Sequence, residues 1–328
     1  VLFAEQHAVL PVVVVVSGAN GIAVAACASI VAVGTRIEEL VEDAIGVAVQ
    51  RATAVAGGDL NDAFRVELAG GDVAFAKTSP DARPGGFAAE AAGLRWLGEA
   101  AGGDVAVPEV RGAGDHVLVL GWVESARPAV DRDARLGRGL ARVHAAGAPA
   151  FGATPDRGPT ILGPLVLPAD AAGPDPTWGA FHGTCRLAPV GRLAHDRGAL
   201  PAGTSARLQL LIDRLDALAG PAEPPARIHG DLWSGNVMTG PDGGPVLIDP
   251  AASGGHRETD LAMLRLFGSL SPAFLAAYEA VAPLAPGHDR RVALHQVFPL
   301  LVHAALFGGG YGASARRTID AALAAGPA

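Results

Sequence analysis

From Thr35 onward, apolar positions fall into short segments whose period switches between two and about three and a half residues. RIEELVEDAIG puts Ile37, Leu40, Val41 and Ile45 on one side of a helix, because residues three and four apart share a face. The next segments alternate: Ala63 to Leu68 and Val73 to Lys77, separated by Gly70-Gly71, predict an antiparallel hairpin. GFAAEAAGLRWLGEA is rich in Ala and Leu and predicts a helix. Val105 to Gly112 and His116 to Val123 predict two more strands, with a hinge over Gly121 to Glu124. Helical spacing returns over Asp131 to Ala146, with Leu136, Leu140 and Val143 inward and His144 as a cap or core histidine.

Ala148 to Pro176 is rich in Pro and Gly, has little periodicity, and is expected to cross the surface. Trp178 to Leu187 and Ser205 to Leu218 read as helices, and Pro221 to Pro225 ends that pattern. Short apolar runs at Ile228, Val237-Met238 and Val246 to Ile248 predict short strands, the last two joined by the turn Pro241-Asp242-Gly243-Gly244. A helix is expected from about Thr259, and the rest of the chain is helical in pattern. Residues 1–34 differ: no charge occurs from Ala8 to Thr35, while Pro11 and Ser17-Gly18-Ala19-Asn20-Gly21 interrupt the apolar run. That segment fits neither a secretory signal nor a dinucleotide-binding turn, and is expected to be a weakly packed apolar extension.

Composition narrows the picture. Of 328 residues, 69 are Gly or Pro, so loops are numerous, and half are apolar, enough for two lobes with cores. A net charge of −8 without a Lys/Arg run argues against a nucleic-acid surface, and no membrane partner is expected. Cys27 and Cys185 lie far apart without metal-ligand spacing, which fits a reducing cytoplasm. The 25 basic residues are 24 Arg and a single Lys, Lys77. An ammonium is a compact point charge on a flexible stem, and a chain that otherwise uses Arg retains it at one strand position.

The candidate chemistry centres on HGDLWSGN, His229 to Asn236, followed thirteen residues later by Asp249 in VLIDP. H-x-D-x-x-x-x-N with a later Asp is the spacing of a phosphoryl-transfer loop. Asp231 would then stand beside the acceptor hydroxyl, while Asn236 and Asp249 would hold Mg²⁺ on the nucleotide phosphates. Thirteen residues after Lys77, Glu90 lies on the predicted helix, in position for a phosphate-aligning ion pair. Gly57 and Gly58 precede the hairpin and are candidates for the loop over the phosphates. Backbone groups near Val123 in the hinge are candidates for adenine. Asp260 either caps its helix or stiffens the catalytic loop, and Trp233 either packs on an acceptor or anchors its loop.

RIHGDLWSGNVM, PVLIDPAASGGHRETDLAMLRLFG, SPAFLAAYEA and LFGGGY closely resemble the fructosamine kinase (ketosamine-3-kinase) family, within the aminoglycoside-phosphotransferase-like kinases. GGDLNDAFRVEL, the Lys77 strand, EAAGLRWLGEA and LVLGWVE match the same family, so the resemblance runs from about Thr35 to residue 320. It implies a bilobal, protein-kinase-like α+β fold, with a small sheet lobe at 35–124 and a larger, mainly helical lobe at 125–328. It also implies ATP-dependent phosphorylation of the 3-hydroxyl of ketosamines, free or protein-bound, by a monomer or homodimer with ATP and Mg²⁺. By position, Asp231 becomes the base, Asn236 and Asp249 the Mg²⁺ ligands, and Lys77, Glu90, Gly57, Gly58, Asn61 and Val123 the nucleotide site. Trp233, His256, Glu258 and His303 become candidates for the acceptor, and His229 and Asp260 for structural support. The loop FGATPDRGPTILGPLVLPAD keeps Asp156 and Gly163-Pro164-Leu165 but lacks the Asn and Gln common in the family. An aminoglycoside or other hydroxylated amine is therefore the alternative acceptor, and a catalytically silent binding module the third reading.

Overall fold

The computed structural model describes residues 37–55, 61–79, 82–169 and 176–326. Gly57, Gly58 and the apolar extension therefore lie outside the described residues. Among the described residues, five strands form one antiparallel sheet: β1 (Val49–Val55), β2 (Asp62–Leu68), β3 (Val73–Thr78), β4 (Val110–Ala113) and β5 (Val117–Gly121), in the order β1-β2-β3-β5-β4. Helix α1 (37–45) covers one face and α2 (Gly86–Ala100) the other. Strand alternation decides which side chain meets which helix. Phe64, Val66, Ala74, Ala76, Val117 and Val119 pack with Ile37 and Val41 of α1. Phe75, Leu118 and Leu120 pack with Phe87, Ala91 and Leu94 of α2. Lys77 is two residues beyond Phe75 on β3, so it too faces α2.

The second lobe is mainly helical. It begins with α3 (Arg132–Ala145) and a hairpin, β6 (Thr160–Leu162) and β7 (Leu165–Leu167). Helix α4 (Trp178–His182) runs through a π-helical turn at Gly183–Leu187 into α5 (Ala188–Asp196), followed by α6 (Thr204–Ile212) and α7 (Leu215–Leu218). Short strands β8 (Ala226–Ile228), β9 (Val237–Thr239), β10 (Pro245–Leu247) and β11 (Ser253–Gly255) pair as β8 with β11 and β9 with β10. Helices α8 (Glu258–Leu266), α9 (Pro272–Glu279), α10 (His288–Phe307) and α11 (Tyr311–Ala325) complete the lobe. One core joins α3, α8 and α9 to Leu232, Val237 and Leu247 beneath the catalytic loop. A second lies among α4 to α6, α10 and α11. Among the described residues, no helix is long and apolar enough to cross a membrane.

Two expectations change. The strand over Val105 to Gly112 is shorter, because Pro108 has no N–H to donate and separates Ala106 from β4. Ala106 instead exchanges backbone hydrogen bonds with Pro245 and Leu247, tying the small lobe to β10. The stretch over Ala148 to Pro176 contains the β6–β7 hairpin, whose three-residue strands are too short to show alternation. Arg83, ahead of α2, donates from Nε to the Pro164 carbonyl at 3.1 Å, so this hairpin touches both lobes.

Candidate active site

A cleft of about 510 Å³ lies between the lobes, and Lys77, Glu90, Asp231, Asn236 and Asp249 all line it. Lys77 arrives from β3 and Glu90 from the facing side of α2. The Lys77 ammonium donates to both Glu90 oxygens, at 2.7 and 2.8 Å, and to Asp249 Oδ1 at 3.0 Å. Burial alone would lower the amine, but Glu90 and Asp249 outweigh it and raise its pKa, so Lys77 stays cationic. Burial, partly opposed by Lys77, pushes the Glu90 carboxyl up to about 7. Asp249 has φ 53°, a left-handed conformation for a non-glycine residue, and precedes Pro250, which disfavours helical geometry before it. Such strain costs on the order of 1–3 kcal/mol and persists where the surroundings over-determine it.

Those surroundings start at His229. Its neighbours fix its tautomer: Nε2–H donates to the Ile248 carbonyl at 2.9 Å, and Nδ1 accepts from the Asp231 N–H at 3.3 Å. One ring therefore spans the two segments carrying Asp231 and Asp249. Burial lowers its pKa and keeps it neutral, as this pattern requires. Asp260 accepts from the backbone N–H groups of His229 at 2.7 Å and Gly230 at 3.0 Å. It sits inside the first turn of α8, whose N-cap is Arg257, and so it braces the loop rather than capping the helix. Gly230 has φ +82°, and a Cβ there would overlap the Ala251 carbonyl.

Asp231 is held in a polar but crowded place. Asn236 donates through Nδ2 to the Asp231 carbonyl at 2.8 Å and to its Oδ2 at 3.3 Å. Burial, followed by the charge of Asp249, pushes the Asp231 carboxyl up to about 6. With Nδ2 so engaged, Asn236 keeps Oδ1 for a cation, and Asp249 keeps Oδ2. Two oxygen ligands at the cleft, beside Lys77, suit a hard divalent ion such as Mg²⁺.

The remaining predicted residues divide. Asn61 lines the cleft, as do Trp233 and His303 at its other end. Trp233 is 39% exposed and meets Phe267 edge-on; the His303 ring stands 5.2 Å from Phe267 and 5.0 Å from Tyr311. Phe307 also lines this end, and Phe267 packs on Trp233 and His303 behind it; their cue in sequence is a Phe before glycine in RLFG and LFGGG. Val123 leaves β5 partly exposed and does not line the cleft.

His256 and Glu258 are not brought to the cleft lining: both are buried, at 3% and 4% exposure. Glu258 receives Arg291 on both oxygens, Nη2 at 2.6 Å and Nε at 2.9 Å. Burial alone would raise this carboxyl, but His295 and Arg291 hold it down to about 2. His256, Glu258 and His295 offer ligand atoms within 4.8 Å of one another. The guanidinium already neutralises that carboxylate and would repel a divalent cation, so the group is a buried ion pair packed among aromatic rings.

This constellation defines a kinase-like phosphotransferase with a small sheet lobe and a helical lobe. Residues 33–325 match the family model for fructosamine kinase, and the chain belongs to that family. Probable ketoamine kinases from Thermus thermophilus and Enterococcus faecium are 36% and 32% identical to it over 270 and 271 residues. Those alignments cover 81% of this chain and 91% and 93% of the relatives. A crystal structure of a candidate fructosamine-3-kinase from Thermobifida fusca superposes with a TM-score of 0.79 at 44% identity, covering 88% of this chain and 98% of that one. Choline kinase LicA from Streptococcus pneumoniae shares the fold at 15% identity, with a TM-score of 0.59 over 89% of this chain and 99% of its own. The chain is thus an ATP-dependent small-molecule kinase of the sugar-amine class.

Proposed function

We propose that this kinase transfers the γ-phosphoryl group of ATP to the 3-hydroxyl of a ketosamine, the product of a sugar condensing with an amine. Such a reaction marks glycated amines for breakdown, a repair of glycation. The carrying observation is Asp231, a carboxyl raised to about 6 that shares one cleft with the Lys77–Glu90–Asp249 ion triad. A base with a pKa just below neutrality is ionised at working pH yet still has affinity for a proton.

In this reading Lys77, aligned by Glu90, neutralises the phosphates, and Asn236 Oδ1 and Asp249 hold Mg²⁺. When bound, Mg²⁺ supplies charge neutralisation for the transferring group and positions it. Asp231 accepts the proton of the sugar hydroxyl as its oxygen bonds to the γ-phosphorus; the bond to the β-phosphate oxygen breaks and ADP leaves. A positioned base contributes about 10²–10⁴ in rate, the remainder coming from alignment and charge. The aromatic end of the cleft, with Trp233 exposed, offers a flat apolar wall for the acceptor. The net charge of −8 favours an acceptor that carries an ammonium.

A screen of ATP consumption against fructoselysine, ribuloselysine, free sugars and aminoglycosides tests the assignment. Turnover is expected with a ketosamine. Turnover confined to aminoglycosides would overturn it in favour of the other acceptor class.

A further inference from the structure

We infer that Tyr278 and His144 are positioning residues for the catalytic loop, acting together through Asp260. Neither lines the cleft, and each is buried, as is Asp260. His144 comes from the last turn of α3, Tyr278 from α9 and Asp260 from α8. The His144 Nε2 lies 3.1 Å from Asp260 Oδ2, and its Nδ1 lies 2.7 Å from the Tyr278 hydroxyl.

The proton positions in this chain are fixed by counting donors. Asp260 is an ionised acceptor: burial alone would raise its carboxyl, but His144, His229 and the loop N–H groups hold it low. It therefore takes a hydrogen from His144 Nε2, in addition to those from the His229 and Gly230 backbone. When the ring carries its hydrogen at Nε2 alone, Nδ1 is a lone pair and the Tyr278 O–H donates to it. Burial raises the Tyr278 pKa and outweighs the lowering effect of the Arg257 guanidinium, which keeps that hydrogen in place. Arg257 is itself held by both oxygens of Glu223, each at 2.7 Å. Without the hydroxyl, Nδ1 would have no donor. The ring could then adopt the other tautomer and turn a lone pair toward the Asp260 carboxylate.

The helix packing is built for this contact. Gly137, two turns before His144 on α3, lies where a Cβ would overlap the Phe274 carbonyl and press on the Tyr278 N–H. The absence of that carbon lets α3 and α9 approach closely enough for the hydroxyl to reach the ring. Asp260 in turn holds the two peptides ahead of Asp231, so disorder in this relay is transmitted to the loop that carries the base.

The inference rests on the phosphoryl-transfer reading above, and the test separates the two. The parent chain, Tyr278→Phe, His144→Leu and His144→Gln are assayed with Mg·ATP for transfer to fructoselysine and, in parallel, for ADP release without acceptor. Thermal midpoints are taken on the same samples. Misplacing a reacting group by about 1 Å costs up to about 100-fold in rate. Tyr278→Phe should lower kcat about 10-fold and His144→Leu up to about 100-fold, with KM for ATP within about twofold of the parent. His144→Gln, whose amide can return an N–H to Asp260, should recover most of that loss. The inference is overturned if Tyr278→Phe keeps kcat within about twofold of the parent, or if Gln is no better than Leu and the losses follow the thermal midpoints. A His144→Leu chain that fails to fold leaves Tyr278→Phe to decide. A parent that releases ADP but does not phosphorylate fructoselysine counts against the acceptor assignment alone, and the pair is then judged from ADP release.

Discussion

If Asp231 is the base, the pH dependence of the reaction follows from its surroundings. Its carboxyl is raised to about 6 by burial and by the charge of Asp249, against one weak donation from Asn236 at 3.3 Å. The base works only when ionised, so activity is full well above pH 6 and is lost as pH falls through it. At pH 5 about a tenth of the molecules carry an ionised Asp231, a loss of about 10-fold, with a further factor of ten per unit below that. The assay is initial rate against pH at saturating acceptor, giving kcat/KM for ATP, which reports the nucleotide-free enzyme. A cation at Asn236 and Asp249 would cancel part of the Asp249 charge, so the acid limb of kcat should lie below that of kcat/KM. Asp231→Asn should lose about 10²–10⁴ in kcat and no longer show the limb, while still binding Mg·ATP. A parent profile flat down to pH 5, or an unchanged limb in Asp231→Asn, would refute the reasoning.

Other perturbations test the supports. Lys77→Met leaves Glu90 buried without its cation, so the carboxyl will bind a proton more tightly than in the parent. Between pH 7 and 9 the folded variant then holds a proton that its unfolded chain has lost. Its stability should fall relative to the parent by up to about 1.4 kcal/mol per pH unit in denaturant titrations; a constant difference would contradict this. Arg291→Leu strands the Glu258 carboxylate and should cost about 3–5 kcal/mol, most of it recovered in the double variant with Glu258→Leu; additive losses would show that the two do not act as a pair. In the parent, the Glu258 contribution is complete above about pH 4.5 and is lost as pH falls toward about 2, since the folded state holds its pKa low. Gly230→Ala forces a side chain into a left-handed conformation against the Ala251 carbonyl, and should cost more than about 2 kcal/mol while lowering kcat; a neutral outcome in thermal and kinetic assays would contradict the packing.

How much of this was legible depended on how local each feature is. Lys77 and Glu90 are thirteen residues apart, and alternation on β3 places the lysine on the α2 face, so their meeting follows from two periodicities. Asp231, Asn236 and Asp249 are fixed by spacing within one loop and one hairpin. The partners of Asp260 are a different case. His144 lies 116 residues away and its own partner Tyr278 another 134 from it, contacts that exist only once α3, α8 and α9 have packed. Nothing local distinguishes His144 from a helix cap. Glu258 is a similar case: the family resemblance makes it an acceptor candidate, whereas its charge is satisfied by Arg291, 33 residues on. Strand β1 was missed because Arg51 and Thr53 interrupt its apolar pattern at a sheet edge, where one backbone side faces no further strand.

The central claim is chemical, and the position of the transferred phosphate tests it most directly. Fructoselysine incubated with the chain and Mg·ATP should yield one phosphorylated product, with phosphorus–proton coupling in NMR placing the ester on carbon 3 of the sugar. A phosphate on any other hydroxyl, or none on fructoselysine while ATP is consumed with an aminoglycoside, would contradict the account.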